Sequence, residues 1–393
     1  MKTNPLIIDG FQSARSDTLR PVRFLITCIL CLLPAFALRA QFTYTTNNNA
    51  ITITGYSGGD TNLDIPATID GLPVTAIDAH AFQYQTDLYS ATIPDGVTII
   101  GDFAFDGCYR LREMVLVDSV TAIGNSAFSG CLSLRDITIP DGVTFLGDQA
   151  FQYCASLGRV IIGNGVTRIG YQAFDACWGI TNLTLGTNLV VIADGAFREC
   201  ADLGSVTIPD SVTGIGNDAF DSCLALANLT IGSNVTSIGN GAFNACTNLA
   251  NVTIPGSVTN LAQGAFGNCT HLATVTFEGA LPVVTDDLFS GASPTVYYLP
   301  GSAGWGDTFA GLPTLLWNPI VSPTDPGFGP TNGMFGFNIT GTPGITVVVE
   351  SSTNLAQGTW TPGSTNILVG GTSSFVDPSG LTTGGTFYRI RTP

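Results

Sequence analysis

The dipeptide Ala-Phe recurs along this chain at a fixed interval of 23 residues, placing phenylalanine at 82, 105, 128, 151, 174, 197, 220, 243 and 266, with a Leu-Phe variant at Phe289. No insertion or deletion breaks the series. Such a period admits few folds. Each unit is one small element that cannot bury its own apolar edge, so the units must stack into a solenoid with a continuous core. Other columns keep the same phase. An Ile or Leu lies five residues before each Phe from Ile77 to Leu261, a Cys lies three after it from Cys108 to Cys269, and an aliphatic residue lies six after it from Leu88 to Leu272. A short alternating segment follows, as in Leu134-Arg135-Asp136-Ile137-Thr138-Ile139, and predicts a strand. A Pro-Asp-Gly/Ser-Val or Gly-x-Asn/Gly turn then ends the unit.

The resulting pattern, LxxVTIPDGVTxIGxxAFxxCxx, resembles the BspA-like subfamily of bacterial leucine-rich repeats over roughly residues 63–300. The resemblance implies a right-handed solenoid with one short strand per repeat on its concave side. It also implies an exported protein that binds partners.

The ends depart from the repeat. Residues 42–54 predict a hairpin turning at Asn47-Asn48-Asn49, within an N-terminal cap over 41–62. The aromatic stretch 301–318 predicts a C-terminal cap, with Trp305 and Trp317 packing there or, alternatively, forming a carbohydrate platform. Residues 319–333 are rich in Pro, Gly, Ser and Thr and read as a linker. Short alternating segments over 334–393 predict a small β-sandwich-like module, with a sorting or anchoring role as one reading and a plain packing or spacer domain as the other. The fold class is therefore a β-rich leucine-rich repeat solenoid of about ten units, followed by a small all-β domain.

Residues 24–38 form an apolar run preceded by Lys2, Arg15, Arg20 and Arg23 and followed by Ala35, Ala37 and Ala40. This order reads as a secretory signal peptide over 1–40, cleaved after Ala40 or, as a second choice, after Ala37. The run is short for a membrane span and is interrupted by Pro34, and no later stretch is long and apolar enough for one. The whole chain carries a net charge of −16; without residues 1–40 it has 8 Arg, no Lys and 27 acids, a net of −19. Nothing in that balance would neutralise nucleic-acid phosphates.

Chemistry-bearing clusters are scarce. The eight cysteines beyond residue 40 share one column, which predicts buried free thiols rather than a disulfide framework or a zinc site. The two histidines, His80 and His271, lie in different columns nearly the length of the solenoid apart, so no Ser-His-Asp or Cys-His site is expected. Paired carboxylates such as Asp286-Asp287 or Asp102/Asp106 fall at turn columns. No catalytic residue, cofactor or metal ligand is assigned. A polysaccharide-degrading enzyme is the remote alternative.

A partner would meet the outward positions of the strands, which fall seven, eight and ten residues after each Phe. The ten-after column is a near-uniform ladder of threonine. The other two differ along the chain. Early repeats carry Tyr89, Arg112, Glu113, Arg135, Asp136 and Arg159, whereas later ones carry Gly, Ala, Ser, Thr and Asn. Arginine and tyrosine are enriched at binding hot spots. This strip is the candidate concave patch for an extracellular protein or glycan ligand, and Trp178 is a candidate anchor at its rim. The alternatives are that the strip's charges pair across strands, and that the solenoid is a structural or adhesive spacer.

Overall fold

The computed structural model describes residues 41–284, 287–331, 333–378 and 385–392. The expected signal segment 1–40 and Asp286 lie outside the described residues.

The phenylalanine column builds the solenoid. Phe82, Phe105, Phe128, Phe151, Phe174, Phe197, Phe220, Phe243 and Phe266 are each 0% exposed. From Phe82 to Phe266 their rings stack in one file with neighbouring centroids 4.8–5.4 Å apart. That interval matches the ~4.7–4.9 Å spacing of paired strands, so one ring per turn fills the core without gaps. At the amino end Phe42 and Tyr56 pack on Phe82 and close the file. They belong to the expected hairpin, Phe42–Asn47 and Ala50–Tyr56, whose turn residues Asn48 and Asn49 have φ of 49° and 59°.

Each repeat contributes two short parallel strands where the resemblance implied one. The first is the alternating segment, for example Asp136–Ile139 paired in register with Arg159–Ile162, residue on residue at the 23-residue interval. These strands form sheets of three, three, two and five strands, with breaks before Asp136, Ser205 and Asn251. The second strand has only two residues, as in Ile99–Ile100, Ala122–Ile123 and Phe145–Leu146. It nevertheless makes the longest sheet, running unbroken from the hairpin to Val283–Val284. The glycine after this strand permits the close stacking. A Cβ at Gly147 would lie 2.5 Å from the carbonyl carbon of Gly124.

Between the two ladders the chain turns through left-handed residues on either side of the Phe, such as Gln149 (φ 57°) and Tyr153 (φ 60°). This places the N–H groups of Gln149, Phe151 and Tyr153 against the carbonyls of Tyr171, Ala173 and Asp175 one turn on, at 2.8–2.9 Å. Acids and amides at the turns extend the same bonding. Asp102, Asn125 and Asp148 each accept from a backbone N–H one repeat later, at Asn125, Asp148 and Tyr171. The turn columns of Asp and Asn are thus inter-repeat connectors.

The eight cysteines are buried free thiols. Each Sγ donates to the carbonyl of the Phe 26 residues earlier, at 3.1–3.4 Å. The column therefore satisfies a core carbonyl as well as filling space.

At the carboxyl end Leu312–Leu316 adds a parallel strand beyond Thr295–Tyr298. Trp305 stacks on Tyr298, packs on Phe277 and Phe309, and donates Nε1 to the carbonyl of Gly279 at 3.1 Å. Trp317 meets Tyr297 edge-on inside the next domain's core. Both tryptophans are packing residues rather than an open platform. Within the stretch expected as a linker, Ile320 bridges Thr340, and Gly329–Thr331 pairs with Met334–Thr340.

The C-terminal part is two three-stranded antiparallel sheets around Phe337, Ile339, Val347, Val349 and Phe375. Its last strand, Phe387–Arg391, is tied down by Arg389 and Arg391, which both bond the buried Glu350 carboxylate, at 2.6 and 2.7 Å. Burial alone would raise the Glu350 pKa. The hydrogen bonds from Arg391 and Arg389 outweigh it and hold the carboxyl below its ordinary value. This part shares its core with Tyr297, whose hydroxyl accepts from the Thr346 N–H at 3.3 Å. It therefore docks on the outward face of the last strands, where Thr274 and Thr276 are buried.

Candidate binding face

The structure brings the predicted strip residues together on one face. The backbone N–H of Arg112 bonds the Tyr89 carbonyl, that of Arg135 the Arg112 carbonyl, and that of Gly158 the Arg135 carbonyl, so this column runs straight across the strands. Beside it Ser90 pairs with Glu113, and Asp136 with Arg159, in register. Tyr89 is 37% exposed, and the Arg112 guanidinium lies 5.9 Å from its ring centroid. Glu113, Arg135, Asp136 and Arg159 are exposed.

Their charges do not pair with one another. Among the described residues Arg110, Arg168, Arg198, Arg389 and Arg391 form ion pairs with Asp87, Asp148, Asp175 and Glu350. Arg112, Arg135 and Arg159 form none. Extended side chains on one face of adjacent parallel strands can stand side by side without meeting head to head, so register alone does not make the cross-strand pairs.

The same face continues into a groove of about 730 Å³ over the later repeats, lined by Thr184, Leu185, Ser205, Thr207, Asp210 and Thr230 among others. It lies where the strand ladder breaks before Ser205–Thr207. Of the small side chains seen in the sequence Ser205 lines it, together with the threonine ladder and the Pro209-Asp210-Ser211 turn. Further on, the docked C-terminal part covers the face at Thr274 and Thr276, which leaves the charged half and the groove open.

Trp178 is 48% exposed, and its Nε1 lies 3.4 Å from a Glu199 carboxylate oxygen. It is not an isolated departure from its column, since Tyr109, Leu132 and Leu224 are also exposed there. Neither histidine meets a nucleophile: His80 stacks on Phe103 and bonds Gln83, and His271 contacts the Thr247 carbonyl. Among the described residues no group of three or more His, Cys, Asp or Glu is placed to hold a metal ion.

A family model described as a BspA type leucine rich repeat region matches residues 75–203 and 167–295. The chain belongs to the BspA-type leucine-rich repeat family. Solved structures similar to this BspA-type protein are also bacterial leucine-rich repeat proteins. One from T. pallidum is 32% identical, covering 53% of this chain and 88% of its own, with a TM-score of 0.43. A leucine rich cell surface protein from Faecalibacterium prausnitzii is 26% identical, covering 67% and 94%, with a TM-score of 0.32. A third, from Bacteroides ovatus, is 22% identical, covering 71% and 98%, with a TM-score of 0.36. No curated protein matches the sequence.

Two clusters in this BspA-type solenoid escaped sequence reasoning. Asp175, fully buried, is held by a bidentate pair with Arg198 at 2.8 and 3.1 Å and by Gln152 at 2.8 Å. The signal was present, because all three occupy the position after Phe in successive repeats. Secondly, a recess of about 360 Å³ on the two-residue-strand ladder lies beside Arg168 and Tyr171.

Proposed function

We propose that this protein works outside the cell or on its surface, as a noncatalytic binding protein. Its ligand, a protein or a glycan, lies along the outward strand face from Tyr89 through Arg112, Arg135 and Arg159 toward the groove over the later repeats. The observation that carries the reading is the contrast among arginines. Five of the eight described arginines are ion-paired, and the three on this strip are not. A guanidinium without an ion pair, standing on a sheet, offers directed donors with no intramolecular salt bridge to break. Glu113 and Asp136, in the next column, would select a ligand carrying both signs or hydroxyl groups over a uniform polyanion.

The test is an array of peptides and glycans probed with the chain lacking residues 1–40, beside the Arg112→Ala/Arg135→Ala/Arg159→Ala variant. Capture by the parent is expected to fall by about a hundredfold or more in the variant, taking roughly 1 kcal/mol per lost contact. The melting temperature should stay within about 2 °C, since exposed unpaired side chains contribute little to stability. Equal capture by both proteins, or a large drop in melting temperature, would leave the strip without a binding role.

A further inference from the structure

In a solenoid, residues that the fold requires recur in their column, so departures converging on one place call for another explanation. Two converge on the ladder of two-residue strands. The position three before Phe is Asp, Asn or Gln in the repeats from Asp102 to Gln263, except at Tyr171. There the connector chain stops: Asp148 still accepts from the Tyr171 N–H at 2.7 Å, but Tyr171 offers no acceptor to Asp194. The outward position six before Phe holds a side chain in every repeat from Ala76 to Val283 except at Gly214. Glycine is not demanded there. A Cβ at Gly214 would meet nothing closer than the Ser237 hydroxyl at 3.5 Å, and the residue has no positive φ. Its effect is to empty a place on the sheet between Val191 and Ser237, with which it pairs in register.

Together the two departures make the recess of about 360 Å³. Tyr171, 45% exposed, supplies an aromatic wall. Arg168 supplies donors and is loosely engaged, its guanidinium 3.5 Å from Asp148 with both side chains about half exposed. Asp194 supplies a carboxylate, already oriented by the Asn217 backbone and side-chain N–H groups at 2.8 and 3.1 Å.

We propose that this recess is a binding subsite for a neutral hexopyranose. A volume near the lower end of small-molecule sites, ~300–1,000 Å³, suits one sugar ring rather than a protein element. The apolar face of a pyranose packs on an aromatic ring, and vicinal hydroxyls both donate to carboxylates and accept from a guanidinium. Arg168 is the one cation of the lining, set against Asp194 there and already engaged by Asp148 beside the recess, so little of its charge is left for an anion, which disfavours sialic or uronic acids. The site lies on the second ladder and is independent of the arginine strip.

Saturation-transfer NMR on the full chain with a panel of methyl hexopyranosides tests this, with the methyl glycoside of N-acetylneuraminic acid as the anionic comparator. At least one neutral glycoside should receive saturation at millimolar concentration and bind more strongly than the anionic one. Gly214→Val refills the empty place, and Tyr171→Asn restores the connector to Asp194. Each should weaken binding about tenfold or more with no loss of melting temperature, because each moves toward the repeat pattern. If one variant fails to fold, the other decides. The triple arginine variant should bind the glycoside as the parent does. Absence of binding by every neutral glycoside, preference for the anionic sugar, or unchanged binding in the two recess variants would overturn the proposal.

Discussion

Raising the pH through about 10 is expected to unfold the solenoid cooperatively. The cause is the cysteine column. Burial pushes the thiols up from an ordinary value of 9.0, to about 12 at Cys108 and Cys269 near the two ends of the column, and well above 9.0 at the interior Cys131, Cys177, Cys200 and Cys246. Each folded thiol also donates to a Phe carbonyl, which a thiolate cannot do. Below about pH 8 folded and unfolded chains both keep their thiols protonated, and almost no stability is lost. Between the unfolded value and the raised folded value, the unfolded chain releases protons that the folded chain retains, so stability falls as pH rises. One thiol contributes at most about 1.4 kcal/mol per pH unit. Eight in phase approach about 11 kcal/mol per unit, comparable with the whole stability of an ordinary domain, ~5–15 kcal/mol. Tyr56 and Tyr388, raised to about 12 first by burial and then by bonds to Asp60 and Asp377, add in the same direction. Circular dichroism against pH reads the midpoint. Replacing Cys131, Cys154, Cys177 and Cys200 by Ala halves the linked protons and should flatten the alkaline loss of stability by about half. An alkaline slope of stability equal to the parent's would show that the thiols are not the cause.

The regularity that makes this effect large is also what made the fold legible. Phe, Cys and the aliphatic columns repeat because every turn presents the same interior, so their spacing translates directly into a stack. The second ladder was hidden for a physical reason. A two-residue strand such as Gly214–Ile215 has no alternation to detect, and its inward Ile or Leu column reads simply as core. Docking of the C-terminal part was hidden too, because Thr274 and Thr276 look like their exposed counterparts Asn251 and Thr253. The strip from Tyr89 to Arg159 was legible as variation against a constant background, although the sequence carried no sign that its charges would stay unpaired. Tyr171, Gly214 and the Asp175–Arg198 pair were visible by the same logic. They needed each column to be read for its exceptions rather than its consensus.

Phe174→Ala is expected to cost about 3–5 kcal/mol and to split the unfolding transition. The ring is 0% exposed and stacks on Phe151 at 5.2 Å and Phe197 at 5.3 Å, nearly parallel to both. Truncation loses the transfer free energy of the ring and leaves a cavity, because the neighbouring turns are held by inter-repeat backbone bonds on both sides and cannot close in. The second effect follows from geometry. Each turn touches only the turns before and after it, so cooperativity is carried by nearest-neighbour interfaces. One deletion at Phe174 weakens two adjacent interfaces at the middle of the file, and the amino and carboxyl halves should then unfold at separate denaturant concentrations. Phe289→Ala makes the comparison. That ring is 5% exposed, lies 6.3 Å from Phe266 and is tilted by 29°, and it sits where the columns decay. Its loss should cost less, about 2–3 kcal/mol, and leave a single transition. Urea titration followed by circular dichroism reads both the midpoint and the slope. If the Phe174 variant unfolds in one step with the parent's slope, coupling along the solenoid runs through the two strand ladders and not through the ring file.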